Sequence, residues 1–460
     1  MCGIFGIYEH SNASYLTFLG LYALQHRGQE SAGIVCADGR EINFHVGMGL
    51  VSEVFSPQIL SQLKGNIAVG HVRYSTTGSS ELKNAQPFLV RWRKGHLAIA
   101  HNGNLVNAAS LRRRLEKEGS LFQTTMDSEI IIHLIAKSSK RGIIEKIVDA
   151  LSQVQGAYSL LILTEESIIA CRDPHGFRPL SLGELEGSPV LASETSAFDL
   201  LGAKFIREIE PGEILHIDKK GLHSYKPFPS SSPSFCIFEF IYFARPDSWI
   251  FGGSVYETRK KLGAKLYKEA PADVDMVVPI PDSGNYAALG YAQAGKIPFE
   301  LAIIRNHYVG RTFIQPSQSI RDLGVKVKLN PSRDILRGKK IAVVEDSIVR
   351  GTTSRIRMKT LREAGVKEIH MRVSCPPHRF PCYYGIDFPD PKELIANRME
   401  PEEIKKFIGL DSLYYLSLEG MLSCMPHQGK SFCTACFTGK YPVTPEERVD
   451  KFILEKGKNN

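Results

Sequence analysis

Cys2 brings together two groups that can carry out nucleophilic catalysis on a single residue. Once the initiator Met1 is removed, Cys2 carries a free α-amine beside its thiol. An α-amine titrates at about pH 7.7–8.0, so it can accept the thiol proton directly or through one water, as the amine of an N-terminal threonine nucleophile does. Taken alone, a cysteine at this position is more often a small core residue. Other segments of the chain must decide between the two interpretations.

A second chemical pattern follows the predicted strand at 340–345. Glu345 and Asp346 end that strand, and a turn of small residues leads into a predicted helix from about Thr352 to Gly365. Carboxylates accept hydrogen bonds from sugar hydroxyls, and backbone N–H groups at a helix N-terminus bind phosphate. The pattern predicts a sugar-phosphate site whose amides come from Arg350, Gly351, Thr352 and Thr353. The alternative is an ordinary strand-to-helix turn.

The nine cysteines form a third pattern, with one C-x-x-C pair. An odd number of cysteines without a secretory signal disfavours a disulfide framework. A local zinc site would use Cys424, His427, Cys433 and Cys436. A 4Fe-4S cluster would use Cys236, Cys382, Cys433 and Cys436. Spacing alone favours neither, and plain buried thiols are a third interpretation.

Two different rhythms of predicted secondary structure would position these groups. Residues 1–230 combine short strands with helices in an α+β pattern, and the Pro- and Ser-rich segment Lys226–Ser234 predicts a boundary. Residues 231–460 alternate strands and helices, which predicts a parallel, doubly wound sheet with its ligand site at the carboxyl ends of the strands. The chain beyond Asp387 is expected to be mostly helical. We therefore expect two domains, 1–230 and 231–460.

Composition excludes several classes of protein. The chain has 460 residues and a net charge of +8, with 43% hydrophobic and 23% charged residues, which is typical of a globular protein. No apolar run approaches the length of a membrane span, and the first residues lack the layout of a signal peptide. The positive charge is modest for this length, so it disfavours nucleic acid and suits anionic substrates. We expect a cytoplasmic protein that does not bind membranes.

The first domain resembles the class II glutamine amidotransferases, whose fold is the αββα sandwich of N-terminal nucleophile enzymes. The resemblance rests on seven segments in order, MCGIFGI, LQHRGQESAGI, HVRYSTTG, NAQPF, HNGN, MDSE and GAYS. It implies that Cys2 attacks the carboxamide of glutamine. Asn102 and the backbone N–H of Gly103 would stabilise the oxyanion that develops. The same resemblance therefore favours a catalytic Cys2 over a core cysteine.

Further residues of these segments are expected to hold glutamine. Arg73 would bind the α-carboxylate as a bidentate fork, and Asp127 the α-ammonium group. Thr76 and Gly28 would shape the pocket. Each pair of residues alone is an ordinary strand, cap or turn. Their joint occurrence predicts a glutamine-binding site.

VVEDSIVRGTTS resembles the loop that binds 5-phosphoribosyl 1-diphosphate (PRPP) in type I phosphoribosyltransferases. This chain has Glu345 where that family often has Asp. In PIPDSG, Ser283 and the backbone amides would meet the diphosphate and its Mg2+, with Glu345 and Asp346 as further Mg2+ residues. The basic segment His307–Asn330 resembles the flexible loop that closes over PRPP, and Lys328 would reach the diphosphate.

The two halves together resemble the glutamine PRPP amidotransferases, a family of glycosyltransferases of the first step of purine biosynthesis. CIFEFIYFARPDS, PCYYGIDF and CTACFTGKYP resemble the iron–sulfur segments of its Bacillus-type members, so the resemblance favours the 4Fe-4S ligand set. It also implies 5-phosphoribosylamine as product, inhibition by purine nucleotides and a homo-oligomer, a tetramer by resemblance. The alternatives are a glutamine–fructose-6-phosphate transaminase and a non-enzymatic regulator that senses PRPP.

Overall fold

The N-terminal half is built on two stacked antiparallel sheets. The computed structural model describes residues 1–306, 329–387, 390–445 and 451–455. The first sheet has seven strands, in the spatial order Lys204–Glu208, Ser181–Leu185, Ser188–Ala192, Gly3–Ile7, Ile67–Arg73, Ser31–Ala37 and Ile42–Met48. The second has six, in the order Gly221–Tyr225, Ile214–Asp218, Ile168–Arg172, Gly156–Leu163, Gly95–Leu105 and Phe88–Trp92.

Helices cover the outer faces of both sheets. The α-helices of this half are Ala13–Ala23, Val51–Val54, Pro57–Gln62, Ala108–Lys117, Ser128–Lys137, Ile143–Leu151 and Ser196–Leu201. The 3-10 helices are Gln25–Arg27 and Leu82–Asn84. One apolar cluster lies between the helices and the first sheet, a second between the sheets, and a third between the second sheet and its helices. The four layers confirm the predicted αββα fold.

Burial on both faces explains why the central strands lack an alternating polar pattern. Every residue of Gly3–Ile7 and Ile67–Arg73 is buried, because one face packs on Ala13–Ala23 and the other on the second sheet. Strands covered on both sides read as continuous apolar runs. Cys2 and Arg73 lie directly before and at the end of these strands, so a rigid framework positions them.

The C-terminal half contains a parallel sheet of four strands. Their spatial order is Met276–Pro279, Lys340–Glu345, Glu368–Val373 and Ser412–Tyr415. The α-helices of this half are Val255–Glu269, Asn285–Gly295, Arg333–Leu336, Thr352–Glu363, Ile395–Arg398, Pro401–Ile408, Leu418–Cys424 and Ala435–Thr438. Short 3-10 helices are Pro391–Glu393 and Pro426–Gly429, and Glu239–Phe243 is a π-helix. The predicted parallel α/β arrangement is confirmed.

The structure adds a strand that the sequence analysis did not predict. Ser412–Tyr415 lies in the region expected to be mostly helical, yet it forms the edge of the parallel sheet beside Glu368–Val373. Only Leu413 of this short strand is buried, because an edge strand exposes one side to solvent. A strand this short and half exposed gives too weak an apolar pattern to be found in the sequence.

The C-terminal half also contains three small sheets of two strands each. Phe235–Cys236 pairs in parallel with Phe432–Cys433, which lies far later in the chain. Two further pairs are antiparallel, Ile303–Arg305 with Leu329–Pro331 and Trp249–Ile250 with Gly253–Ser254. The parallel pair ties the start of the C-terminal half to its end. No described helix is long and apolar enough to cross a membrane. The domain boundary at 230 stays a prediction.

Candidate functional site

Cys2 lies at the buried entrance to the central strand Gly3–Ile7. Only 8% of its surface is exposed, and its Sγ donates a weak hydrogen bond to the Tyr74 carbonyl at 3.6 Å. The Arg27 Nε donates to the Cys2 carbonyl at 2.9 Å. Met1 precedes it, fully enclosed, and burial lowers the pKa of the Met1 α-amine to about 5. Cys2, the predicted nucleophile, is therefore held by one contact of its thiol and one contact of its backbone carbonyl.

The HNGN segment, residues 101–104, lies near the end of strand Gly95–Leu105 and pairs with strand Gly156–Leu163. It presents a buried amide with no hydrogen-bonding partner among the described residues. Asn102 is completely buried, and neither its Oδ1 nor its Nδ2 has a hydrogen-bond partner within the described structure. Buried polar groups are normally satisfied, so an orphaned amide points to a ligand. Gly103 follows it, and a Cβ there would lie 2.0 Å from the Ala157 carbonyl oxygen, so only glycine fits. The arrangement suits the oxyanion role predicted for Asn102 and Gly103.

Arg73 is braced at the end of its strand by the loop that follows. Its Nη1 donates to the Ser79 carbonyl at 3.0 Å and its Nη2 to the Thr77 carbonyl at 3.2 Å. The Glu30 carboxylate lies 3.7 Å from Nη1. These contacts leave the guanidinium fixed rather than free to search for a ligand, which is what precise recognition of a carboxylate requires.

The other predicted pocket residues gather around Arg73. The Thr76 hydroxyl donates to the Gly103 carbonyl at 3.5 Å, which joins the loop after Arg73 to the HNGN segment. A Cβ on Gly28 would lie 2.6 Å from the backbone of Val72 and Arg73, so glycine permits this close approach. The structure thus brings four predicted residues together. Their roles toward glutamine stay predictions.

Asp127 is the N-cap residue of helix Ser128–Lys137 and contacts strand Gly95–Leu105 at the HNGN segment. Its Oδ2 accepts the Leu105 N–H at 2.9 Å, and its Oδ1 lies 3.4 Å from the His101 Nδ1. Burial opposes ionisation of Asp127, but His101 and the backbone donors outweigh it and hold the pKa of Asp127 below its usual value. Asp127 is therefore a buried anion, as binding of an ammonium group requires.

The segment 451–455 contacts the loop at 74–79 that braces Arg73, which the sequence analysis did not predict. The Gly78 N–H donates to the Lys451 carbonyl at 2.9 Å, and the Thr125 hydroxyl donates to Glu455 at 3.2 Å. Leu454 is buried against the helices of the second sheet. Nothing in the sequence of this segment signals a contact with a loop hundreds of residues earlier.

Glu345 and Asp346 lie buried at the carboxyl end of strand Lys340–Glu345, as predicted. Burial raises the pKa of Glu345 to about 7, although Arg357 Nη1 lies only 2.6 Å from its Oε1. Burial also raises the pKa of Asp346, against hydrogen bonds from Ser283 and Ser347 that lower it. The predicted Ser283 thus meets Asp346. Arg357, one helical turn beyond the loop, is a site residue that the sequence analysis missed.

The turn after Asp346 leads directly into a helix N-terminus, where the sequence analysis predicted phosphate binding. Gly351 is the N-cap of helix Thr352–Glu363, with φ +75°, a conformation that favours glycine. Thr352 and Thr353 are exposed at the helix N-terminus. The Arg350 side chain turns away and pairs with Glu393, its Nε 2.7 Å from Oε2, so only its backbone remains for a phosphate. Lys328 and most of the predicted His307–Asn330 loop lie outside the described residues.

All four cysteines of the predicted 4Fe-4S set line one cavity. Cys236 and Cys433 are register partners in their small parallel sheet, and Cys436 lies in helix Ala435–Thr438. Together with Cys382 and apolar neighbours they enclose about 340 Å3 of space free of protein atoms, which includes its opening to solvent. Burial raises the pKa of Cys236 to about 11 and of Cys433 to about 12. Such thiols become thiolates when a metal binds them.

Of the alternative zinc set, Cys433 and Cys436 line that cavity, but Cys424 and His427 do not. Cys424 donates to the Gly420 carbonyl at 3.3 Å, and His427 lies against Gly252. Within the described ranges, no group of three or more His, Cys, Asp or Glu side chains is arranged to hold a single metal ion. A zinc site draws four ligands to about 2 Å from one point, whereas a four-iron cluster keeps its cysteines apart. The 4Fe-4S ligand set stays a prediction, with all four of its cysteines lining one cavity.

Comparisons with known proteins support both halves. Residues 71–200 match the family model of a glutamine amidotransferase domain. Over 97% of its length the chain is 54% identical to a chloroplastic amidophosphoribosyltransferase of Glycine max, 79% of which is covered. It is 49% identical to the amidophosphoribosyltransferase of Bacillus subtilis, over 96% of this chain and 94% of the relative.

Two solved structures agree with this chain along nearly their whole length. One is described as the allosteric regulatory enzyme of purine biosynthesis, with a TM-score of 0.94, 48% identity, and 98% of this chain and 99% of the other covered. The second is the B. subtilis glutamine PRPP amidotransferase complexed with ADP and GMP, with a TM-score of 0.93, 48% identity, and coverages of 97% and 99%. The chain belongs to the amidophosphoribosyltransferase family.

Proposed function

We propose that the chain transfers ammonia from glutamine to PRPP, giving 5-phosphoribosylamine, diphosphate and glutamate. The observation that carries this proposal is that one chain holds two sets of residues. The first is the buried Cys2 and the orphaned Asn102 amide, and the second is the buried Glu345–Asp346 pair before a helix N-terminus. The first arrangement suits hydrolysis of a carboxamide, and the second suits a sugar phosphate. Family membership supports the combination of the two.

In the first half-reaction, Cys2 attacks the carboxamide carbon of glutamine. Its α-amine, free after removal of Met1, accepts the thiol proton and returns it to the leaving ammonia. Asn102 and the Gly103 N–H stabilise the oxyanion, and water then hydrolyses the thioester to glutamate. Arg73 and Asp127 hold the two charged ends of the amino acid, so that its carboxamide faces Cys2.

In the second half-reaction, ammonia displaces diphosphate at the anomeric carbon of PRPP. Glu345 and Asp346 accept hydrogen bonds from the ribose hydroxyls, and the amides of Arg350, Gly351, Thr352 and Thr353 bind the 5-phosphate. Arg357 holds Glu345 in place through their 2.6 Å contact. Ser283, Glu345 and Asp346 have the oxygen chemistry that Mg2+ prefers, and this ion would stabilise the charge of the leaving diphosphate.

Cys236, Cys382, Cys433 and Cys436 would hold a 4Fe-4S cluster with a structural role. Their shared cavity supports this assignment, because it joins the strand at 235–236 to the segment at 432–438. The cluster would staple the beginning of the C-terminal half to its end. No step of the reaction needs it.

Regulation, assembly and location are further parts of the proposal. The ADP and GMP in a solved relative support inhibition by purine nucleotides, which an assay with GMP and ADP would test. Light scattering would test the predicted homo-tetramer. All nine cysteines are free in the structure, which agrees with a reducing compartment and supports a cytoplasmic location.

The rival functions each leave one site without a purpose. A glutamine–fructose-6-phosphate transaminase would not need the Glu345–Asp346 loop, and a PRPP-sensing regulator would not need Cys2. Cys2→Ala tests the two-site proposal directly. We expect it to abolish glutamine-dependent synthesis of 5-phosphoribosylamine, while synthesis from concentrated free ammonia persists. Loss of both activities in a folded variant would contradict separate sites.

A further inference from the structure

Two arginines and two glutamates form a completely buried network behind Cys2. Arg27 binds Glu239 through a bidentate fork, with its Nη2 2.8 Å from Oε1 and its Nη1 3.1 Å from Oε2. It also pairs with Glu194, and Arg178 Nη1 lies 3.5 Å from Glu239 Oε1. All four side chains have zero exposure. Two positive and two negative charges balance, so each buried ion has a partner.

The network fixes the direction of one more hydrogen bond. A guanidinium is planar and presents its donors in a rigid fork, so two carboxylates that hold Nη1 and Nη2 also determine where Nε points. In Arg27 the Nε points to the Cys2 carbonyl, 2.9 Å away. The carboxylates therefore set the position of the Cys2 backbone, although neither of them touches it.

One of the two carboxylates belongs to the C-terminal half of the chain. Glu194 follows the strand Ser188–Ala192 of the first sheet, but Glu239 begins the π-helix just after Cys236. That segment is anchored because the Cys236 N–H donates to the Phe177 carbonyl at 3.1 Å and Cys236 pairs with Cys433. Support for the nucleophile thus crosses from one half of the molecule to the other.

We propose that Glu239 is a positioning residue for Cys2 and acts through Arg27. This inference rests on the proposed role of Cys2 as nucleophile. Glu239 keeps the thiol aligned with the carboxamide of bound glutamine without contacting substrate. A misplacement of about 1 Å at a reacting atom costs about a hundred-fold in rate, so a support one residue removed from the nucleophile has a large effect on kcat.

Glu239→Gln in the full-length protein tests this inference. The amide keeps the shape of the side chain, but its NH2 faces an N–H of Arg27 and breaks the bidentate fork. We expect kcat for glutamine hydrolysis to fall by about ten-fold or more, and KM for glutamine to change by less than about two-fold. Synthesis from free ammonia stays at the parent rate. Mass spectrometry checks that Met1 has been removed from parent and variant alike.

Glu213→Gln is the matched control. Glu213 is also buried and also forms a bidentate pair, with Arg207 at 2.7 and 2.8 Å, but its further partner is Ser224 of the second sheet. We expect this control to lose thermal stability and to keep the parent kcat for glutamine. An equal loss of kcat in both variants would reduce Glu239 to a structural role and overturn the inference.

The double variant Arg27→Met with Glu239→Gln separates positioning from stability. It removes one charge of each sign and so returns the buried network to zero net charge, although Arg178 still lacks Glu239. We therefore expect its thermal stability to exceed that of Glu239→Gln but to stay below that of the parent. We expect kcat for glutamine to stay low, because no donor reaches the Cys2 carbonyl. Recovery of kcat in the double variant, or a parent-like kcat in Glu239→Gln, would overturn the inference. Glutamine hydrolysis in Cys2→Ala would instead overturn the proposed function.

Discussion

His101 Nδ1 lies 3.4 Å from Asp127 Oδ1, so the first residue of the HNGN segment is paired with the N-cap residue of helix Ser128–Lys137. Both side chains are buried. Burial opposes a charge on His101, but the Asp127 carboxylate outweighs it and raises the pKa of His101 above its usual value. The pair therefore joins the predicted oxyanion segment to the predicted ammonium-binding residue by a charged contact.

This pair predicts a particular dependence of stability on pH. The pKa of His101 is raised in the folded protein and is about 6.5 in the unfolded chain, so its contribution is complete below about pH 6.5. It is lost as the pH rises through the folded-state pKa. We expect the parent to exceed His101→Asn in free energy of unfolding at pH 6, and this difference to narrow at higher pH. Guanidinium unfolding at several pH values measures it.

His71 supplies the control for that experiment. It is also buried, and its Nε2 lies 3.0 Å from the His101 carbonyl oxygen. Burial lowers the pKa of His71 to about 3, so His71 is neutral in the folded protein at about pH 6 and above, whereas the unfolded chain loses this proton as the pH rises through about 6.5. The advantage of the parent over His71→Asn in free energy of unfolding should therefore grow slightly from about pH 6 to about pH 7.5 and stay constant above, a trend opposite in sign to that for His101→Asn. A difference for His101→Asn that does not narrow as the pH rises would contradict the charged pair.

Asn102→Ala should separate catalysis from stability. We expect kcat for glutamine hydrolysis to fall by about 10²–10³-fold, as for loss of one oxyanion donor. Stability should change little, because the Asn102 amide has no described hydrogen bond to lose. Asn84 is equally buried, but it donates to Thr125 Oγ1 at 2.8 Å and accepts the Thr125 N–H at 3.0 Å. Asn84→Ala should cost about 1–3 kcal/mol of unfolding free energy.

Site residues that are close together in the sequence could be predicted from it. Glu345, Asp346 and Gly351 are consecutive parts of one strand, turn and helix, so their arrangement follows from local geometry. Arg357 was also within reach, because a basic residue one turn into a helix beside two buried carboxylates is a natural counterion.

Residues that meet across the fold could not be found in the same way. Cys236 and Cys433 become neighbours only because two strands of two residues each pair in parallel. The pairing of Arg27 with Glu239 requires the relative position of the two halves, which no local pattern encodes. Resemblance to a family supplied the cysteine set before the fold did, but it did not supply the arginine–glutamate network.

Asp346→Asn should strongly lower synthesis of 5-phosphoribosylamine and spare basal hydrolysis of glutamine. A hydrogen bond to a charged group contributes about 1.5–3 kcal/mol, which corresponds to about 10- to 150-fold in kcat/KM for PRPP. Asp275→Asn is the control, because Asp275 accepts the Lys340 N–H at 2.8 Å at the opposite end of the same strands. Near-parent synthesis by Asp346→Asn would remove this loop from the PRPP site.

Cys236→Ser and His427→Ala together decide which group the cysteines hold. Cys236 lines the shared cavity and His427 does not. We expect Cys236→Ser to lose iron and sulfide and to unfold at a lower temperature, since the staple between residues 235–236 and 432–438 is lost. His427→Ala should keep both. Full metal content in Cys236→Ser with metal loss in His427→Ala would favour zinc; anaerobic purification with metal and sulfide analysis gives the answer.

The segment 451–455 predicts a coupling between the end of the described chain and glutamine binding. Glu455 accepts a hydrogen bond from Thr125, and the Lys451 carbonyl accepts one from Gly78, next to the Ser79 carbonyl that braces Arg73. Loosening this contact frees the loop that orders Arg73. Glutamine must then order this loop when it binds, and the free energy that ordering costs weakens its binding.

Glu455→Ala should therefore raise KM for glutamine with little change in kcat. Glu455 Oε1 accepts two hydrogen bonds, from the Thr125 hydroxyl and from the Ser79 N–H. Each contributes about 0.5–1.5 kcal/mol, so we expect an increase of at least about two- to twelve-fold. Synthesis from free ammonia should not change, because that reaction bypasses Arg73. Glu165→Gln is the control, since Glu165 also accepts a backbone N–H, that of His96 at 2.6 Å, on a different hairpin. A parent-like KM in both variants would contradict this prediction. It would mean that the hydrogen bonds of Glu455 do not order the loop that braces Arg73.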